Sequence, residues 1–190
     1  MIKAIIFDCF GVLITDALNV IMDQQNLAED KRKDVHGLTN SVNRGIISYS
    51  EYRSRIAEIL NMSEEKYFKS IKEVEVKNNE LLNYILELKD KYKIGLLSNV
   101  SGRESLNKRF SDAELNKYFD VVVASGEIGY AKPEARAYEI TADRLGVQLN
   151  ECVMVDDRLN YVDSAIGIGM KAIVYEYFEQ TKSELENILN

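Results

Sequence analysis

The sequence predicts an α/β protein built on a parallel sheet, and three observations carry that prediction. Five short runs rich in Val, Ile and Leu recur at residues 3–7, 93–97, 120–124, 152–155 and 171–175. They are nearly continuous in apolar residues rather than alternating, as strands covered on both faces are. Stretches with helical spacing lie between them, the pattern of strand–helix–strand units. At 190 residues the chain is long enough for one core with a small insert.

Taken in order, the first run ends on Asp8, and the chain then turns at Gly11. A carboxylate at the mouth of a central strand stands where open α/β sheets place their chemistry. The gap from residue 7 to residue 93 is far longer than the roughly 30 residues of an ordinary strand–helix–strand unit. A helical insertion is therefore expected at 15–77, leaving 1–14 and 78–190 as the α/β core. Within it, 16–29 is one expected helix and 50–60 a second, with Tyr52, Ile56 and Ile59 or Leu60 on one stripe. Ser63-Glu64-Glu65-Lys66 reads as a capping box opening a third. A helix over 79–92 returns the chain to the sheet, because Leu81, Ile85, Leu88 and Tyr92 share a face. Short helices are expected at 101–110 and 111–118, and longer ones at 134–145, 159–168 and 181–189. Gly146 and Gly169 follow two of them as C-terminal caps.

Composition narrows the function. A formal net charge of -7 argues against a nucleic-acid partner. No apolar stretch is long enough to span a membrane, and Asp8 interrupts the N-terminal run that would mimic a signal peptide. Cys9 and Cys152 sit in or beside apolar runs, which suits free thiols in the cytoplasm better than a disulfide. A single histidine, His36, leaves at most one candidate for imidazole chemistry. No pattern reports the oligomeric state.

The groups at the C-terminal ends of the runs make a coherent set. The first gives Asp8, the second Ser98 and Asn99, the loop after the third Lys132, and the fourth Asp156 and Asp157. In a parallel sheet these ends share one edge, so the groups converge. The carboxylates suit a hard divalent cation bound through oxygen, best Mg²⁺. The cation and Lys132 together would neutralise a phosphoryl group that Asp8 otherwise repels. Asp8 is then able to attack phosphorus and form an aspartyl-phosphate that water resolves.

Four motifs in this order and spacing resemble the haloacid dehalogenase superfamily, in the group with a helical cap after the first motif. They are Phe7-Asp8-Cys9-Phe10-Gly11-Val12-Leu13, Leu97-Ser98-Asn99, Lys132-Pro133-Glu134 with Tyr138-Glu139, and Val155-Asp156-Asp157. The resemblance spans nearly the whole chain. It implies a Rossmann-like core with sheet order 3-2-1-4-5 and a small phosphorylated metabolite as substrate. It further implies Asp8 as nucleophile, Ser98 on the transferring group with Asn99 beside it, and Lys132 stabilising charge. Asp157 would bind the metal, with Asp156 supporting it directly or through water, and the backbone carbonyl of Phe10 would be a further ligand.

One position departs from the pattern. Phosphatases of the superfamily usually carry an aspartate two residues after the nucleophile, to protonate the leaving alcohol. Phe10 transfers no proton, and general acid–base help is worth about 10²–10⁴ in rate. Asp16 is a nearby acidic candidate for the missing role. Two alternatives therefore stand beside a Mg²⁺-dependent phosphatase: a non-catalytic binding or regulatory relative, and a 2-haloacid dehalogenase, whose pattern Phe10 and Tyr138 also fit. The Asp156-Asp157 pair opposes the dehalogenase, because uncompensated carboxylates beside Asp8 would raise its pKa and weaken it as a nucleophile. In the insertion, Arg44, Tyr49 and His36 are polar candidates for substrate contact. Arg44 beside Gly45 is the strongest, since a guanidinium clamps anions.

Overall fold

The computed structural model describes residues 1–190. Its centre is a sheet of five strands: β1 (Ala4–Phe7), β2 (Lys93–Ser98), β3 (Val121–Ala124), β4 (Cys152–Asp156) and β5 (Lys171–Val174). The order is β3-β2-β1-β4-β5 and every pairing is parallel. β1 is the middle strand, with Phe7 facing Leu96 on one side and Val155 on the other. Its four residues are all fully buried, which is why its apolar run is unbroken.

The pleat divides β1 between two cores. Ile5 and Phe7 point to one face, where α5 (Asn79–Lys89), α7 (Asp112–Tyr118) and α11 (Phe178–Leu189) cover them. Ala4 and Ile6 point to the other, beneath α9 (Ala135–Leu145) and α10 (Leu159–Gly167). The remaining core elements are short: α6 (Arg103–Asn107), α8 (Ser125–Ile128) and a 3-10 turn at Leu149–Glu151. Ser111 caps α7 with a complete capping box, Glu114 returning a carboxylate to the cap.

The insertion contains α1 (Ala17–Gln24), α2 (Glu29–Asn43), α3 (Tyr49–Ile59) and α4 (Glu64–Val74). They pack on a core of their own, with Ile21 and Met22, Val35 and Leu38, Tyr52 and Ile56, and Tyr67 and Ile71 meeting at its centre. The two connections to the sheet run side by side. Thr15 N–H donates to the Val76 carbonyl at 3.0 Å and Asn78 N–H to that of Leu13 at 2.9 Å. The entrance and exit of the insertion are thereby tied together beside Asp8.

Two local expectations change and one helix is new. The helix expected over 16–29 stops at Gln24, because Asn26 takes a left-handed φ of 48° that ends the turn. Asp16 is its cap, accepting from Asn19 N–H. The long helix α2 was not announced, since its first six residues are all charged and only Val35, Leu38 and Val42 are apolar in the polar stretch that follows. Ser63 caps α4 through Lys66 N–H, but Lys66 has no acceptor to return, so the box is only half made.

Candidate active site

Because all five strands run the same way, the residues after β1, β2 and β4 emerge at one edge, beneath the helical insertion. Lys132 lies at the centre of what they form. Its ammonium stands 2.8 Å from Asp8 Oδ1 and 2.5 Å from Asp156 Oδ2, with no side-chain exposure at all. Asn99 holds it there: the Lys132 N–H donates to Asn99 Oδ1 at 2.9 Å, and Asn99 Nδ2 donates to the Lys132 carbonyl at 2.8 Å. The Asn99 amide is thus committed to positioning Lys132. Any anion contact from this residue falls to its backbone N–H.

Asp8, Asp156 and Asp157 offer carboxylate oxygens that all lie within 4.8 Å of one another. One ammonium faces three carboxylates. Burial pushes the Asp8 carboxyl up to about 7, with Asp156 and Asp157 adding to the rise and Lys132 only partly opposing it. Burial and then Asp156 raise Asp157 to about 6 against the pull of Arg158. For Lys132, burial alone would disfavour the ammonium, but Asp156 and Asp8 outweigh it and hold the proton firmly. Asp156 is fully engaged, since its second oxygen accepts from Arg158 N–H at 3.0 Å.

Two buried polar atoms in this group lack a partner: Asp157 Oδ1 and Ser98 Oγ. A buried polar group without a hydrogen bond costs about 1–3 kcal/mol, so both are where a bound species is missed. The Phe10 carbonyl also accepts no backbone hydrogen bond. Gly11 lets Asp157 close in: its φ is 87°, and a Cβ there would lie 2.3 Å from Asp157 Oδ2. An oxygen-rich, over-acidic cluster with an orphaned carboxylate oxygen fits a hard divalent cation.

Above the cluster is a cavity of about 560 Å³, a volume typical of small-molecule sites. Asp8, Phe10, Ser98 and Asn99 form its floor, and the insertion supplies most of its roof. Of the insertion residues expected at the site, His36 and Tyr49 line the cavity and Arg44 does not. Arg44 follows α2 and instead forms an ion pair with Glu134, with its side chain half exposed. A helix end directs the side chain, and α2 ends pointing toward the loop before α9. Tyr138 is also excluded, being fully buried with its hydroxyl donating to the Tyr161 carbonyl at 2.9 Å.

Phe10 is packed rather than free. Its ring joins the core beneath β1, and the Arg109 guanidinium lies 5.2 Å above its centroid. Arg109 also grips both oxygens of Glu75, at the exit from the insertion. Asp16 lines the cavity with its carboxylate 3.5 Å from Arg158. Sequence reasoning passed over Arg109, Arg158 and Tyr161. Arg158 directly follows the acidic pair and was detectable by that adjacency, whereas nothing local marks the other two.

Comparison with known proteins agrees with this picture. The haloacid dehalogenase-like hydrolase family model matches residues 2–169. A phosphatase from Mycobacterium tuberculosis is 38% identical over 90 residues, which are 47% of this chain and 42% of that one. The chain therefore spans less than half the length of this relative. A phosphorylated carbohydrates phosphatase from Thermotoga maritima is 26% identical across 90% of this chain and 83% of its own. Among solved structures, a HAD-like family hydrolase from Porphyromonas gingivalis has a TM-score of 0.76 at 24% identity, covering 100% of this chain and 98% of its own. A HAD family enzyme from Bacteroides thetaiotaomicron, solved with magnesium and inorganic phosphate, has a TM-score of 0.71 at 21% identity, covering 93% of this chain and 95% of its own. At these identities the likeness is one of fold.

Proposed function

The chain belongs to the haloacid dehalogenase-like hydrolases, and on that premise we propose that it is a Mg²⁺-dependent phosphatase of a small phosphorylated metabolite. The observation that carries the reading is the pairing of Asp8 with Lys132 at 2.8 Å beside the unpartnered Ser98 Oγ. A nucleophile, a fixed cation and a free hydroxyl then share one edge of the sheet. The names of the matched relatives, a phosphatase and a phosphorylated carbohydrates phosphatase, support a phosphate ester, with sugar phosphates the first class to try. Two buried free thiols suit the cytoplasm.

Asp8 and Asp157, with the Phe10 carbonyl, would hold the cation, and Asp156 would stand behind them, tying Lys132 in place. Bound Mg²⁺ supplies positive charge that offsets the phosphoryl oxygens and the crowded carboxylates. Ser98 Oγ and the Asn99 backbone N–H hold phosphoryl oxygens. An Asp8 oxygen attacks phosphorus, and the bond from phosphorus to the leaving oxygen breaks with its electron pair on that oxygen. Attack of water on phosphorus then frees phosphate and restores the Asp8 carboxylate. Phe10 gives the leaving oxygen no proton, so it takes one from water. Esters with good leaving groups, such as sugar 1-phosphates, acyl phosphates and aryl phosphates, should turn over best.

The test is phosphate release from p-nitrophenyl phosphate and a sugar phosphate panel, in Mg²⁺ and in EDTA. Turnover that needs Mg²⁺ and drops at least about 10³-fold in Asp8→Asn is expected. No release from any substrate, with Asp8→Asn indistinguishable from the parent, overturns the reading in favour of a non-catalytic relative.

A further inference from the structure

The cavity over Asp8 carries more positive charge than its floor employs. Five cationic side chains line it, Arg53, Lys72, Lys108, Arg109 and Arg158, against three carboxylates, Asp8, Asp16 and Glu75. Each carboxylate is taken: Asp8 by Lys132, Asp16 by Arg158 and Glu75 by Arg109. Lys72 and Lys108 have no carboxylate within 4.0 Å. Arg53 reaches Glu64 with one end, while its Nε is buried and makes no hydrogen bond.

These three cations come from separate elements and line the one cavity. Arg53 is on α3, Lys72 on α4, and Lys108 follows α6 in the core. Aromatic rings fix two of them. The Arg53 guanidinium lies 4.3 Å over Phe68 and the Lys108 ammonium 4.4 Å over Tyr49. Contacts of this kind orient a cation while leaving its N–H donors free. In a chain of net charge -7, a concave wall holding two lysines without a carboxylate and an arginine only partly engaged runs against the overall sign. A wall of one sign focuses its field into the cleft and concentrates ligands of the opposite sign. A transferring phosphoryl at Asp8 and Ser98 is served by Lys132, Asn99 and the proposed cation. The roof cations are surplus to that.

Resting on the phosphatase reading above, we propose that the substrate carries a second anionic group, a carboxylate or a second phosphate, at the end remote from the phosphoryl that is transferred. Arg53, Lys72 and Lys108 receive it. The volume of about 560 Å³ leaves room for a sugar-sized body between the two charged ends.

Three probes sharing a six-carbon body and a 6-phosphate separate the possibilities: glucose 6-phosphate, 6-phosphogluconate and glucose 1,6-bisphosphate. Binding is measured by calorimetry on Asp8→Asn with Mg²⁺, and again on the parent chain in EDTA, so that neither turnover nor one variant's folding decides the result. At least one of the two doubly anionic probes should bind about tenfold more tightly than glucose 6-phosphate. Which of them does so identifies the second group as carboxylate or phosphate. In the surface double variant Lys72→Met/Lys108→Met that preference should fall to about twofold or less. Equal binding of all three probes, or an equal loss for all three in the double variant, overturns the proposal. Tight selective binding without hydrolysis in the parent would reject the phosphatase reading alone. Hydrolysis of glucose 6-phosphate with no preference would reject the second anion alone.

Discussion

At the floor of the cavity Lys132, Asp8, Ser98 and Asp156 are all buried, and Lys132 and Asp156 hold one another at 2.5 Å with neither side chain exposed. At the roof Lys72 and Lys108 stand in solvent, Tyr49 is 40% exposed, and two of the cations rest on aromatic rings. The floor stakes stability on its charges. Removing one partner of a buried pair strands the other. The roof risks little, because exposed charges keep their water. The difference teaches that chemistry and selection are built in separate materials. A sheet edge fixes reacting groups rigidly, and helices packed on their own core offer a wall that substitution alters without harm to the fold.

The sharpest way to break the comparison is to remove one lysine from each side. Lys132→Met leaves Asp8 and Asp156 without their cation and should cost about 3–5 kcal/mol of stability, besides abolishing turnover. Lys72→Met should fall within about 0.5 kcal/mol of the parent. Urea denaturation of both reads the difference, and similar losses would dissolve the distinction between floor and roof.

Next in size is Phe10→Asp, which gives the floor the acid it lacks. Turnover of alkyl phosphates should rise about 10- to 100-fold, short of the full benefit of a general acid, because Arg109 above the ring will draw the new carboxylate. The lost packing should cost about 1–2 kcal/mol. Steady-state rates on glycerol 3-phosphate decide it. No gain would mean that Asp16 or another group already supplies the proton.

A smaller effect comes from pH. Asp8 and Asp157 are raised to about 7 and about 6, above the value of about 4 in an unfolded chain. The folded, metal-free protein therefore holds protons that the unfolded chain has released, and these two groups subtract stability as pH climbs from about 4 to about 7. A divalent cation binds the ionised carboxylates. The rise in melting temperature on adding Mg²⁺ should thus be slight at about pH 5 and reach a few degrees at about pH 8. A rise independent of pH would remove these carboxylates from the metal site.

The least effect is expected at Arg44. Its partner is Glu134 and it lies off the cavity wall, so Arg44→Ala should change kcat/KM less than about twofold and stability by less than about 1 kcal/mol. A tenfold fall in kcat/KM would return it to the site.

Much of the floor was legible because most of its residues sit at the end of a strand that advertises itself, Lys132 in the loop beyond α8 being the exception. Asp8, Ser98 and Asp156 follow apolar runs that read as buried strands, and parallel direction then brings them to one edge. The roof was not legible in this way. Arg44 has the chemistry of an anion clamp, yet it stands just past the end of α2, where Glu134 before α9 takes its charge. Arg53, Lys72 and Lys108 look like ordinary surface charges on helices of polar composition. Helix α2 itself went unannounced, because three apolar residues in fifteen give little periodicity to detect.

By itself, then, the sequence determined the sheet, the long helical stretch after its first strand and the set of groups at the strand ends, since an unbroken apolar run and a helical spacing are local properties that survive without a partner. Only the tertiary structure decided that the Asn99 amide is spent on holding Lys132, that Asp157 and Ser98 are left with unpartnered oxygens, and which helical faces close over Asp8. Those outcomes depend on distances between residues tens of positions apart, and burial, which sets both pKa and the cost of an unmet hydrogen bond, exists only once the chain has closed around them.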